Sequence, residues 1–249
     1  MITLKFFDEK IIISNYATFE NQGIKKGSSK SRDYTNESIS RAKRKIYDLG
    51  VCNNWSHFLT MTFNSNKINR FNTNEVKKKF IKYLKNYSRI DKDFKYLVIP
   101  ELHKNGALHF HGLVSFGENS KQFLKRFKKN IFNHKLFTEK FGFNRFIEIV
   151  EKSNAVISYI VKYVSKDVNK IFRNYYFHSN NLQEPLKVKI TDDKIVLETI
   201  RKMEPLINAK VPELHFFQNV YVSSYVINKT NELYDYYYNT FFENIQVER

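Results

Sequence analysis

Phe94-Lys-Tyr-Leu-Val-Ile-Pro-Glu-Leu102 and Ala107-Leu-His-Phe-His-Gly-Leu-Val-Ser-Phe116, joined through His103-Lys-Asn-Gly106, form the stretch that decides the fold. Both runs are rich in β-branched and aromatic residues, and Asn105-Gly106 between them suits the backbone of a tight hairpin. Two neighbouring antiparallel strands are expected here. Upstream, HFLTMTF (57–63) reads as a strand, and NTNEVKKKFIKYLKNY (72–87) as a helix whose Val76, Phe80 and Leu84 share one face. Downstream, a basic helix is expected at about 120–132, a strand at FNRFIEIV (143–150), and a helix from an N-cap at Ser153 to about Val168. The resulting β-α-β-β-α-β-α order, with its hairpin, favours an antiparallel α+β sheet over a doubly wound parallel one. The expected fold class is α+β, a central antiparallel β-sheet flanked by helices, with an additional C-terminal region.

Outside this core the signals thin. Residues 2–16 alternate as one or two strands, and NQGIKKGSSKSRDYT (21–35) reads as a basic mobile loop without apolar period, followed by a helix at about 36–49. Beyond about residue 170 only a strand at 216–227 and an aromatic-rich helix at 230–242 are legible. The expected organisation is 1–35 for the N-terminal strands and loop, 36–170 for the core and 171–249 for a C-terminal accessory region.

Composition narrows the class of partner. A formal net charge of +17 over 249 residues implies a polyanion, and an aromatic content of 16% supplies surfaces for base stacking. Nucleic acid is therefore the expected partner. The single cysteine, Cys52, excludes a disulfide framework and a cysteine-based zinc module. With no long apolar run and no basic-then-apolar N-terminus, no membrane association is expected, and a cytoplasmic location is. The absence of a GxxxxGK[ST] sequence argues against a built-in helicase motor.

Two constellations carry chemistry. On a strand, His109 and His111 project to the same face with Phe110 on the other, and the hairpin partner brings Glu101 near them. Two imidazoles and a carboxylate make a candidate divalent site suited to Mn2+ or Mg2+ as Lewis acid on a phosphodiester, with zinc as an alternative. His103 is either an exposed hairpin residue or a ligand in place of Glu101, and a purely structural His-x-His pair is the simplest competing reading. In the later helix, Tyr159 and Tyr163 stack one turn apart at the border of an apolar arc, each followed three residues on by a lysine, Lys162 and Lys166. A phenol is a weak nucleophile at neutral pH and needs a metal-activated phosphate or a nearby cation. Ordinary amphipathic packing with half-buried tyrosines and snorkelling lysines is the alternative. In HFLTMTF, Thr60 and Thr62 point one way and Leu59, Met61 and Phe63 the other, as in any core strand.

Taken in order, FLTMTF, Glu101 with HFHGLV, and YIVKYVSK resemble the three motifs of HUH (His-hydrophobic-His) rolling-circle replication initiators, the replication-associated proteins of small plasmids and single-stranded DNA phages. The resemblance extends over about residues 36–168, including the lead-in RAKRKIYDLGVCNNW (41–55). It implies an RRM-like core in which His109, His111 and Glu101 bind the metal. Tyr159, ranked first, and Tyr163 serve as nucleophiles, singly or in turn, with Lys162 and Lys166 as supporting cations. The implied reaction is attack of tyrosinate on a scissile phosphate in single-stranded or hairpin origin DNA, leaving a 5′-phosphotyrosine and a free 3′-OH. Implied partners are the origin DNA and a host helicase and polymerase. A transposase or mobilisation relaxase shares this chemistry. A noncatalytic nucleic-acid-binding protein and a water-using hydrolase do not.

Overall fold

A computed structural model describes residues 2–16, 34–150, 154–164, 174–208, 214–218 and 222–243. The chain divides into two compact units, Lys30–Glu184 and a second made of Met1–Ser29 with Pro185–Arg249. The α+β class is as the sequence indicates, with two antiparallel sheets of five and seven strands. No helix among the described residues is long and apolar enough to cross a membrane.

The unit Lys30–Glu184 is built on the expected hairpin. Strands β4 (Lys95–Leu102) and β5 (Leu108–Ser115) pair from Lys95↔Ser115 to Leu102↔Leu108. The turn closes with the Gly106 amide donating to the His103 carbonyl at 2.8 Å, and Gly106 takes a φ of 81°, which an L side chain rarely adopts. Strand β3 (His57–Thr62) lies against the other edge of β5, and β8 (Asn144–Glu148) against β3. With β6 (Leu124–Lys128), β7 (Ile131–His134) and β9 (Phe177–His178), the sheet runs β6-β7-β8-β3-β5-β4-β9.

Each face of this sheet buries a different core. Helix α2 (Thr73–Tyr87) starts where the Asn72 side chain accepts from the Glu75 amide at 3.1 Å, and buries Val76, Phe80, Ile81, Leu84 and Tyr87 against Leu59, Met61, Val98, Phe110 and Phe146. On the opposite face, α1 (Tyr34–Val51) and α5 (Asn154–Val161) cover Phe58, Leu97, Ile99 and Leu113. Gly50 lets these two helices meet, because a Cβ there would lie 2.6 Å from Ile157 Cγ2. Gly112 plays the same part inside the sheet, where a Cβ would meet Val98 Cγ1 at 2.6 Å and the Leu97 carbonyl oxygen at 2.7 Å. Gly112→Ala is therefore expected to destabilise the unit by about 1–3 kcal/mol through overpacking, measured as a lower urea midpoint with unchanged slope.

Two expectations need correction. The basic helix placed at 120–132 is instead a short helix α3 (Glu118–Lys121) followed by the β6–β7 hairpin, and a helix α4 (Lys135–Phe141) comes next. Pairing of Ile131 and Phe132 with Ile147 and Phe146 on β8 carries Phe132 to the core, and this long-range pairing overrides the helix-favouring lysines. The tyrosine helix is shorter than expected. It ends at Val161, and the chain continues to Val164 through i→i−3 bonds, Lys162 to Tyr159, Tyr163 to Ile160 and Val164 to Val161. Ser153, Lys166, Val168 and the basic loop up to residue 33 lie outside the described residues.

The other unit is a sheet ordered β10-β1-β2-β12-β11, from β1 (Ile2–Phe7), β2 (Lys10–Tyr16), β10 (Leu186–Ile190), β11 (Leu214–Gln218) and β12 (Val222–Asn228). The segments read as separate N-terminal and C-terminal regions thus share one sheet, with β1 paired to β10 and β2 to β12. Helices α6 (Asp193–Asn208) and α7 (Glu232–Tyr237), the latter running into a π-helix (Tyr238–Glu243), complete it. Of the tyrosine cluster at 234–238, Tyr234 and Tyr237 are buried, and the Tyr237 hydroxyl donates to the Thr199 carbonyl at 3.2 Å. These are packing residues.

Candidate active site

The sheet face under α1 and α5 changes character along its length. Reading away from the apolar end, β5 goes from Leu113 to His111 and His109, β3 from Phe58 to Thr60 and Thr62, β4 from Ile99 to Glu101, and β8 from Ile147 to Arg145. Register aligns these switches: His111 sits opposite Thr60 and Ile99, His109 opposite Thr62 and Glu101, and Thr60 opposite Arg145. Four strands therefore turn polar at one level, which makes a polar floor beside an apolar core.

Within this floor the imidazoles are oriented from below. Thr62 Oγ1 lies 3.1 Å from His109 Nδ1 and Thr60 Oγ1 lies 3.4 Å from His111 Nδ1, leaving both Nε2 atoms for other partners. His111 Nε2 contacts Glu101 Oε2 at 2.7 Å. Burial holds both histidines below the usual imidazole range, His109 at about 4, so both favour the neutral form a ligand needs. For His109 the cationic neighbours act in the same direction as burial, and for His111 the Glu101 carboxylate opposes it. His103 lies at the site too, its ring stacked on His109 with centroids 3.9 Å apart. Among the described residues no three His, Cys, Asp or Glu side chains form a closed metal cage. The mixed nitrogen and oxygen donors with oriented Nδ1 atoms nevertheless fit a hard divalent ion in kind.

The phenols arrive from α5 and the turn that follows it. The Tyr163 ring stacks on His111 with centroids 3.8 Å apart and planes 12° from parallel. Its hydroxyl donates to the Tyr159 hydroxyl at 2.7 Å. The Tyr163 phenol is pushed above its ordinary range, first by burial, then by its bond to Tyr159 and by the negative charge of Glu101. Tyr159 is 47% exposed, its ring against Phe58 at 5.6 Å and under Lys162 Nζ at 5.8 Å. Six of the seven residues singled out from the sequence, Glu101, His109, His111, Tyr159, Lys162 and Tyr163, are thus on or beside one surface, and Lys166 lies outside the described residues.

Several participants went unread. The Thr60 and Thr62 hydroxyls become orienting groups only once register pairs them with the histidines. Arg145 lines the same 790 Å³ cleft as His111, Tyr159 and Tyr163. Arg70, from the loop after β3, is close enough to His109 to oppose its protonation. The alternating Arg145-Phe-Ile147 pattern was the available signal for the first of these; nothing local marks the second.

Among curated proteins and solved structures nothing matches the chain. A family model does match, described as replication-associated protein ORF2, over residues 56–168. The matched stretch contains β3, the β4–β5 hairpin, β8 and α5, and so every side chain of the floor described above. Over these residues the chain belongs to this family of replication-associated proteins.

Proposed function

We propose that this chain nicks and rejoins single-stranded DNA through a covalent 5′-phosphotyrosine, starting rolling-circle replication of a plasmid or phage. The observation that carries this reading is the Tyr163 ring lying on His111, with its hydroxyl bonded to that of Tyr159. A candidate ion site and two phenols thereby share one polar floor.

Glu101, His109 and His111 would hold the divalent ion, Mn2+ or Mg2+, which when bound supplies Lewis-acid polarisation of the scissile phosphate. Tyr159 is the first nucleophile. Its oxygen accepts the Tyr163 hydroxyl proton in a hydrogen bond, and Lys162 stands beside its ring, so negative charge on that oxygen is stabilised from two sides. Attack forms the tyrosine O–P bond and breaks the bond from phosphorus to the 3′ oxygen. The phenol proton is released and the 3′ oxygen takes one up. The phosphotyrosine conserves the phosphodiester bond energy, so rejoining by a 3′-OH needs no nucleotide cofactor. Lys166 serves as a second supporting cation, and a host helicase and polymerase extend the free 3′ end.

Incubation with a library of single-stranded oligonucleotides and Mn2+, followed by denaturing electrophoresis, tests the reading. A covalent protein–DNA adduct that disappears in His111→Ala is expected, and cleavage without any adduct would point to a water-using hydrolase instead. Orientation by the threonines has its own consequence. Thr62→Val, which keeps shape but loses the hydroxyl bonded to His109, is expected to weaken Mn2+ binding about 10- to 100-fold, read by titration without DNA.

A further inference from the structure

Beside the polar floor lies an apolar cleft that the proposed chemistry does not use. Its volume is 790 Å³, and the wall opposite His111 is made by Ile147, Ile149, Val150, Val156 and Tyr159 over a floor of Phe58. Apolar side chains stand open to solvent at its rim, Val150 at 76% and Tyr159 at 47%. Arg145 lies in the same cleft, exposed and held by no carboxylate among the described residues. Glu148 also borders the cleft, but it sits opposite His57, whose ring packs on Phe116, Phe132 and Phe146 in the other core, and strand alternation turns both to that side.

Resting on the nickase reading, we infer that this cleft is a subsite for one unpaired nucleotide of the DNA strand, its base against Phe58, Ile147, Val156 and Tyr159 and its phosphate on Arg145. Three features select that occupant. The cleft is continuous with the candidate catalytic floor, sharing Thr60, His111, Tyr159 and Tyr163, so a strand crossing the histidines must place a neighbouring residue there. Arg145 offers a forked cation matched to a phosphate, one strand beyond Thr60 in the same cross-strand row as His111. The apolar wall supplies a face for an aromatic base, and a paired base has both faces already covered in the duplex stack. Because the base-facing wall has no hydrogen-bonding side chain, the subsite requires a base without requiring a particular one. Sequence preference then arises elsewhere on the protein.

The test uses the full chain in EDTA, so that binding is read without nicking. Fluorescence anisotropy is measured with a short labelled oligothymidylate, with the same backbone lacking bases, and with a duplex. Arg145→Gln and Val150→Glu, both at exposed positions, are compared with the unaltered chain after melting curves confirm that each is folded. Expected are losses of about tenfold for each variant on oligothymidylate, a salt slope lower by about 0.7 for Arg145→Gln, and much smaller losses on the abasic strand and the duplex. Photocrosslinking of 5-iodouracil-containing oligothymidylate, mapped by mass spectrometry, is expected at Phe58 or Tyr159. Equal binding by both variants, or crosslinks confined to residues outside the cleft, would overturn the subsite. The two readings fail separately: an Mn2+-dependent adduct with unchanged binding in both variants leaves the nickase without this subsite. Weakened binding with no adduct on any strand leaves the subsite without the nickase.

Discussion

Tyr159→Phe is expected to lower covalent joining to single-stranded DNA by at least about 1000-fold, as loss of a nucleophile does, whereas Tyr163→Phe lowers it only about 10- to 100-fold. The asymmetry follows from one hydrogen bond. Tyr163 donates to Tyr159, so the Tyr159 oxygen receives a proton donor while Tyr163 gives its own away. Burial and the nearby Glu101 charge further disfavour ionising Tyr163. Phenylalanine at 163 keeps the ring stacked on His111 and removes only the donor, and a hydrogen bond to a charged oxygen contributes about 1.5–3 kcal/mol. Single-turnover adduct formation with Mn2+ measures both variants. Full activity in Tyr159→Phe with loss in Tyr163→Phe would reverse the assignment, and full activity in each single variant with loss in the double would make the phenols interchangeable.

A second large effect concerns stability in acid, and it arises away from the site. His134 is fully buried among Phe116, Phe137 and Phe146, with Nε2 2.8 Å from the Tyr87 hydroxyl and Nδ1 without a partner. Because the Tyr87 hydroxyl donates to Ser120 Oγ, its oxygen is free to accept from His134 Nε2, which leaves the orphan Nδ1 unprotonated. Adding a proton there creates a buried cation with no acceptor, and burial accordingly lowers the group to about 4, with the neighbouring His57 acting in the same sense. The unfolded chain takes up this proton near pH 6.5 and the folded chain only near pH 4, so the unfolded state binds more protons between those values. Stability is therefore level above about pH 7, falls as pH drops toward 4, and levels off below that. Between about pH 7 and pH 5 this one histidine accounts for a loss of about 2 kcal/mol. Urea unfolding of the unaltered chain and of His134→Asn at the two pH values measures it, the variant losing about 2 kcal/mol less. Equal losses in both proteins would remove His134 as the cause.

How much of this was legible in the sequence depends on the range of the signal. The β4–β5 hairpin and α2 could be read because turn residues, strand alternation and the spacing of Val76, Phe80 and Leu84 are local. The β6–β7 hairpin could not, since LKRFK is exposed along most of its length and its strand identity comes from β7 pairing with β8. The same limit hid the joint sheet of the two termini, where Ile2 pairs with Ile190 and Lys10 with Asn228. At the site, alternation was enough to put His109, His111 and Glu101 on one face and Thr60 and Thr62 on one side of β3. That the threonines meet the imidazoles, and that Arg145 follows in the same row, depends on register between strands distant in sequence. His103 stacked on His109 shows the other side of this limit, because a residue beside the turn was readable as present but not as packed against the site.

The account depends most on an ion held by Glu101, His109 and His111 beside the phenols. Titration of the protein with Mn2+ in the absence of DNA, following free Mn2+ by electron paramagnetic resonance, tests this directly. One bound ion per chain is predicted, lost in His111→Ala and retained in Tyr159→Phe. Binding in His111→Ala equal to that of the unaltered chain would contradict it.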